Sequence, residues 1–344
     1  MADGAEPDTR PPTHRVPPEI LAEIFERVPE VFPPLRGRQS PLALGLVCRY
    51  WRSTALSAPR LWNSFYLEPI DRLDDAALLL LWLGRSAEAP LFFKLDSLNW
   101  SATTTLFDTM LAHRRRWRDA RITASLAQLA RIGSAVDGLP VLDTLQIDPI
   151  DGPLENDLFE IISEGAAPRL SRIFFGERVF IWSIKLPWAQ LTHLHAECFY
   201  PTEILKVFCF APNLVSCNIC VVNNREDRQL ASVVMAHLRS LTLVSHSGPG
   251  PDDEFRWLSG VFHSGLTLPS LEVLRILYAP FEIDSAELGC LRSVLFRSEC
   301  KLHKLWLSPS TEFLQAEAKA ALPRFAEVIQ LHDSNGCRIE LDER

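Results

Sequence analysis

The chain lacks most of the signatures that would settle its chemistry at a glance. It has no basic excess: 35 Lys and Arg stand against 43 Asp and Glu, a formal charge of −8. A general nucleic-acid binder carries a basic footprint, and this balance gives no attraction to an anionic membrane either. The longest apolar run, Ala76–Leu83, is far too short to span a bilayer. The N-terminal stretch MADGAEPDTRPPTHR has no apolar core of the kind a signal peptide needs. It is polar and Pro-rich, and residues 1–14 are expected to form a disordered tail. The 8 Cys are scattered through apolar context, not set at framework spacings. They read as reduced thiols of an intracellular protein, cytoplasmic and/or nuclear. There is no GxSxG elbow, and Ser247-Gly248-Pro249-Gly250-Pro251 lacks the Lys and helix context of a phosphate loop. What the chain does have is apolar bulk: 47% of 344 residues, enough for two domains or one elongated body with a sizeable core.

The stretch from Arg15 to Leu67 organises the rest. Pro17 and Pro18 stand at a helix start, where a missing N–H costs nothing. Ile20, Leu21, Ile24, Phe25 and Val28 follow at helical spacing, and Pro29 ends the run. Ser40 with Pro41 predicts the cap and first residue of a second helix, whose stripe is Leu42, Leu46, Val47, Tyr50, Trp51 and Ala55. Pro59 stops it, and Leu61-Trp62 follow as a bulky pair. Two short helices cannot bury this much apolar surface alone and need a third layer.

In order, V-P-P-E-I-L-x-x-I-F, V-C-x-x-W-R and P-x-L-W resemble the F-box domain. The resemblance implies a module that docks on the Skp-type adaptor of cullin–RING ubiquitin ligases, with the remaining chain binding the substrate. It also implies adaptor-binding residues: Pro17, Ile20, Leu21, Ile24 and Phe25 on the first helix and Val47, Cys48 and Trp51 on the second, with Leu61 and Trp62 closing the module. Val16 stands where the family usually has Leu, and the segment Pro29–Gln39 is longer and richer in Pro and Arg than the usual link. An ordinary helical hairpin packed on the rest of the protein is the plainer alternative.

Beyond it, Asn63–Leu67 and Leu91–Leu95 read as strands, and Asp71–Ser86 and Ser101–Arg115 as helices. Then one phrase recurs: apolar, two others, apolar, one other, apolar. Its copies begin at Leu142, Leu170, Leu191, Leu214, Leu238, Leu271 and Leu302, 21 to 33 residues apart, with a weaker copy at Trp117. Pro140, Pro168, Pro212 and Pro269 stand two residues before a copy. Helices are expected between copies, capped by Thr202, Asp252, Asp284 and Ser310. The phrase resembles a leucine-rich repeat, which stacks short strands into one parallel sheet. The repeat family's Asn ladder is absent: the corresponding positions hold Ile150, Arg178, Phe199, Val222, His246, Ala279 and Ser310. An ordinary α/β domain with alternating strands and helices would also give parallel strands.

One constellation could carry metal chemistry. His195-Ala196-Glu197 with Cys217-Asn218-Ile219-Cys220 echoes the zinc deaminase signature. Yet Ser216, not Pro, precedes Cys217, and both halves fall inside repeat phrases, where Cys217 reads as a small buried hydrophobe in a Leu position. The basic run Arg114-Arg115-Arg116-Trp117-Arg118 reads as a solvated helix end, with a nuclear signal or a phosphate contact as the alternative.

The expected fold class is α/β: a helical F-box module over 15–67, then a leucine-rich-repeat-like solenoid over 68–344 with a curved parallel sheet. The expected function is substrate recognition within a ubiquitin ligase, without catalysis, cofactor or metal, and with a protein target as the second partner. Strand alternation predicts a target face of Arg172, Phe174, His193, His195, Asn218, Thr242, Arg275, Lys304 and Trp306. A repeat-type interaction scaffold without a ligase role is the second reading, and a zinc hydrolase the third.

Overall fold

A computed structural model describes residues 15–27, 31–67, 75–96, 102–133, 138–151, 159–176, 179, 184–221, 232–245, 257–262, 265–278, 283, 285–307 and 312–331. The tail expected over 1–14, the Gly-Pro tract at 247–251 and the caps expected at Asp252, Asp284 and Ser310 lie outside the described residues. The protein is mixed α/β, with helices at the N-terminal end and parallel strands after them. It divides into two compact units, Met1–Ala124 with Val136–Leu142, and Ser125–Ala135 with Asp143–Arg344. The boundary expected between residues 67 and 68 therefore falls inside the first unit.

In the first unit, α1 (Pro18–Arg27) opens on a proline and carries Glu19 in its first turn and Arg27 in its last, both favourable to the helix dipole. The second helix differs from expectation. Pro41–Leu46 winds as a 3-10 turn capped by the Ser40 hydroxyl, which accepts from the Leu42 N–H at 3.3 Å. The chain then extends at Cys48, whose sulfur accepts from the Trp51 N–H, and α2 (Arg49–Leu56) starts afresh. Gly45, a poor helix former, sits in the tighter piece, and the Arg52 guanidinium takes its carbonyl at 2.8 Å. The stripe read as one face is thus split: Leu46 and Val47 are exposed while Ala55 is buried.

Next come β1 (Ser64–Leu67), α3 (Asp75–Arg85), β2 (Leu91–Asp96), α4 (Ala102–Ala112) and β3 (Trp117–Ala124). The strands are parallel, with Phe65, Phe93 and Ala120 in one rung and Leu67, Leu95 and Ile122 in another, all buried. Trp62 joins this core. Its ring meets Trp82 at 5.2 Å, its Nε1 donates to the Ala55 carbonyl at 2.7 Å, and the Arg85 guanidinium lies 4.4 Å from its centre. Phe65 then links Trp82 to Phe93, and Phe93 meets Trp117 at 5.0 Å. The helical module and the first three strands therefore share one aromatic core.

The long Pro-rich segment after α1 finds its place here. The Tyr66 N–H donates to the Pro33 carbonyl at 2.9 Å, and Pro34 bridges to Tyr66. Phe32 lies under the Arg121 guanidinium at 4.6 Å. The segment runs along the open edge of β1, where its prolines offer no N–H to a further strand.

The second unit contains α5 (Leu126–Gly133), which the sequence reading did not anticipate, and, besides two short two-stranded sheets, eight parallel strands of one sheet: β4 (Thr144–Pro149), β5 (Arg172–Phe175), β6 (His193–Phe199), β7 (Ser216–Val221), β8 (Ser240–Ser245), β9 (Val273–Tyr278), β10 (Lys304–Leu307) and β11 (Ile329–Leu331). Between them lie α6 (Pro201–Phe210), α7 (Trp257–Val261), α8 (Ser285–Ser298) and α9 (Glu312–Ala321). The cap expected at Thr202 is replaced by Pro201 at the first position and Glu203 reaching back to the Tyr200 N–H at 2.8 Å. Each of the seven phrases forms a strand, and the phrases pair in constant register. Leu145, Ile173, Leu194, Cys217, Leu241, Leu274 and Leu305 make one buried rung; Ile147, Phe175, Ala196, Ile219, Leu243, Ile276 and Leu307 make the next. β11 extends both rungs with Ile329 and Leu331.

The same backbone device precedes almost every strand. The first Leu of a phrase donates its N–H three residues back, as Leu170 does to Ala167, Leu191 to Trp188, Leu214 to Ala211 and Leu271 to Leu268. The carbonyl after that Leu accepts from two successive N–H groups of the next phrase: Asp143 from Ser171 and Arg172, Ser171 from Thr192 and His193, Thr192 from Val215 and Ser216, and so on to Glu272 from His303 and Lys304. The residue three before the Leu is buried in the six copies from Leu142 to Leu271, so the repeating unit reaches further N-terminal than the phrase itself. Burial of these Leu side chains sets a stability expectation. Leu274→Ala, at a fully buried rung position, should cost roughly 2–5 kcal/mol, the range for a buried Leu truncation. A denaturant midpoint equal to that of the parent would contradict the assigned core.

Candidate functional site

Two surfaces follow from this architecture. The first is the outer side of the N-terminal helices. An amphipathic helix buries one stripe and offers the other, and α1 does so in alternation: Leu21 and Phe25 are buried, whereas Ile20 and Ile24 stay 49% and 47% exposed. Phe25 meets Trp51 of α2 at ring centroids 5.0 Å apart, and the Tyr50 hydroxyl donates to the Val16 carbonyl at 2.6 Å, which together fix α1 on α2. Val31, Leu46, Val47 and Leu56 are exposed as well. Six of the eleven exposed large apolar side chains among the described residues thus fall between residues 20 and 56. Such a concentration marks an interaction surface.

Residues 13–68 match the F-box-like family model. None of the curated proteins compared matches the chain. The F-box-like module ends where β1 ends, so its last strand is the first strand of the sheet in that unit. Among the residues expected to touch an adaptor, Pro17, Ile20, Ile24 and Val47 lie on the outside, and Cys48 and Trp51 are half-buried. Leu21, Phe25, Leu61 and Trp62 are interior side chains. The structure therefore moves these four from the contact surface to the core of the module, because their stripe faces α2 and Trp82.

The second surface is the open face of the sheet in the second unit. Phe174, His195, Asn218, Thr242, Arg275 and Trp306 are register partners in sequence along one rung, flanked by Gln146 and Gln330. Arg172, His193 and Lys304 belong to the rung before it, on the same face. Phe174 lies 5.9 Å from His195, and the Arg275 guanidinium 4.8 Å from the Trp306 ring. Thr242 is buried, while Phe174, Asn218, Arg275 and Trp306 are half-buried. Gln330 stands beside Trp306 on the next strand, and residues 332–341 lie outside the described residues.

The metal constellation does not assemble. His195 pairs in register with Asn218, while Cys217 pairs with Leu194 and is buried on the opposite face. Cys217 and Cys220 are three apart on one strand, so their side chains leave opposite faces. Burial pushes the Cys217 thiol well above its ordinary range, away from the thiolate a metal needs. Among the described residues no group of three or more His, Cys, Asp or Glu could hold a metal ion. The basic run resolves too: Arg114 donates to the Leu111 carbonyl at the end of α4, and Arg116 to the Ala89 and Leu83 carbonyls beyond and within α3.

The histidines on the open face are held neutral. Burial lowers His195 despite Glu197 at 3.8 Å, and burial followed by the Arg172 charge lowers His193, with Asp143 opposing. A base with a lowered folded-state pKa binds fewer protons folded than unfolded, so stability falls as pH drops through about 6.5 toward the folded value. The denaturant midpoint should therefore fall between pH 7.5 and 5.5, and His195→Gln should flatten that slope. A midpoint that stays level or rises on acidification contradicts the burial of these rings.

Proposed function

We propose that this protein is the substrate-recognition subunit of a Skp–cullin–F-box type ubiquitin ligase. The F-box-like module carries the adaptor through Ile20, Ile24 and Val47, and the open sheet face of the second unit takes a protein target. The observation that carries the first half is the family match over residues 13–68 together with the exposed apolar side chains on the outer side of that module. The second half is supported by an unbroken rung from Phe174 to Trp306 that mixes aromatic, Arg and hydrogen-bonding side chains, the residue types that dominate interface energetics. The constant register, the recurring turn and the paired N–H donors support a leucine-rich-repeat-like solenoid, a fold that commonly binds through its sheet surface. The protein itself then needs neither catalysis nor a cofactor, and it works in the cytoplasm or nucleus, where cullin ligases act.

The test is partner capture in cells with cullin activity inhibited, so that targets accumulate on the receptor. The parent chain should retain target proteins together with the adaptor. A folded Arg172→Ala/Phe174→Ala/Trp306→Ala variant should keep the adaptor and lose the targets. Targets retained by that variant would put recognition on another surface. Targets captured by the parent with no adaptor would favour a scaffold without a ligase role.

A further inference from the structure

The first unit carries a groove of 830 Å³ that belongs neither to the outer side of α1 nor to the open sheet face of the second unit. Leu80, Leu83, Pro90, Ala112, Pro140 and Val141 supply its apolar lining. Leu80, a lining side chain on α3, is 56% exposed. Glu88, His113, Arg115 and Arg116 line it as well. Arg116 is committed to the Ala89 and Leu83 carbonyls, and Arg114 next door to the Leu111 carbonyl. Arg115 is different: it is exposed, and it makes no hydrogen bond or ion pair among the described residues.

Charge decides what such a groove accepts. Burial and the Arg116 charge hold His113 below its ordinary range, with Glu88 opposing, so the imidazole is neutral near pH 7. Two guanidinium groups then face one carboxylate, which leaves a local positive surplus in a chain whose formal charge is −8. A free guanidinium beside apolar side chains is suited to an anion that offers two oxygens, because its fork matches carboxylate and phosphate and the apolar neighbours weaken competition from water. The volume lies within the ordinary range for sites that enclose a small ligand or a few side chains, about 300–1,000 Å³.

We propose that this groove docks a short peptide segment of a partner protein in which an anionic side chain neighbours apolar residues, the anion on Arg115 and the apolar side chains against Leu80, Leu83 and Val141. The anion is a carboxylate or a phosphate; either can offer a pair of oxygens to the Arg115 fork. The site lies outside the surfaces assigned to the adaptor and the target, so it stands or falls independently of the ligase reading.

The test uses the full chain and an array of decapeptides with Leu, Val and Pro varied at the flanks and Glu, phosphoserine or Ser fixed at the centre. Affinities of the selected peptides are then measured by fluorescence anisotropy. Peptides centred on Glu or phosphoserine should be selected over those centred on Ser, and their binding should weaken as salt is raised. A preference for phosphoserine assigns the anion to a phosphate, and equal binding of Glu assigns it to a carboxylate. Arg115→Glu should lower affinity tenfold or more and shift selection toward peptides centred on Lys. Leu80→Asp should lose binding at an unchanged melting temperature, since both positions are exposed. Selection of no peptide, equal selection of the Ser series, or an unaltered selection by Arg115→Glu would overturn the proposal. So would displacement of the selected peptides by a single-stranded RNA at lower concentration, which would assign the groove to nucleic acid.

Discussion

Trp62→Ala is expected to unfold the first unit as a whole, not the F-box-like helices alone. Trp62 is buried, packs edge-on against Trp82 and donates to the Ala55 carbonyl at 2.7 Å. Truncating a buried Trp costs roughly 3–5 kcal/mol, and the Ala55 carbonyl loses a partner worth about another 1 kcal/mol. That is a large part of the 5–15 kcal/mol that holds an ordinary domain together. The loss should spread, because the ring is the first of a series running through Trp82, Phe65 and Phe93 to Trp117. Hydrogen exchange should show protection disappearing together from α1, α2, β2 and β3. Loss confined to the helices, with β2 and β3 still protected, would mean that the module and the strands fold separately. Removing the module at residue 67 should have the same effect: a chain shortened there loses β1 and Trp62, and with them the packing of Trp82 and Phe93.

The second large effect is on binding without unfolding. Replacing Ile20, Ile24 and Val47 together by Asp should abolish adaptor binding. Each is about half exposed or more, at 49%, 47% and 57%, so the cost in stability should stay within about 0.5 kcal/mol per site. An apolar anchor at an interface contributes about 2 kcal/mol. Losing two of the three would weaken binding by about 4 kcal/mol, close to a thousandfold. Leu21→Ala is the instructive comparison. Its side chain is interior, so it should lower the melting temperature first and binding only as a consequence. Adaptor affinity unchanged in the triple variant would place the contact elsewhere.

The repeat strands were legible because a strand with one buried face writes its alternation into the sequence, as in Leu271-x-x-Leu274-x-Ile276. The first strand, Ser64–Leu67, was legible as a strand, but not as a copy of the phrase: Trp62-x-x-Phe65-x-Leu67 carries the same spacing with aromatics in place of Leu. Helix α5, Leu126–Gly133, is short and lies between stronger signals, though a local signature was there: the Ser125 hydroxyl accepts from the Gln128 N–H at 3.3 Å and Gln128 Oε1 from the Ser125 N–H at 3.1 Å, while Asp151 accepts from the Leu126 N–H at 2.8 Å. The break at Cys48 was illegible because a 3-10 turn and an α-helix place apolar residues at nearly the same spacing. On α1, motif resemblance did not separate the inner face from the outer one. Ile20 and Leu21 are adjacent in sequence and equally apolar, and only the packing of Phe25 on Trp51 shows which side of the helix remains outside.

The most direct test of the account is calorimetric titration of the purified full-length protein with a purified Skp-type adaptor. The account predicts a one-to-one complex with a dissociation constant of about a micromolar or tighter, lost in the Ile20→Asp/Ile24→Asp/Val47→Asp variant at an unchanged melting temperature. Absence of heat and of a co-eluting complex for the parent protein at concentrations of about 50 micromolar, well above that constant, would contradict it.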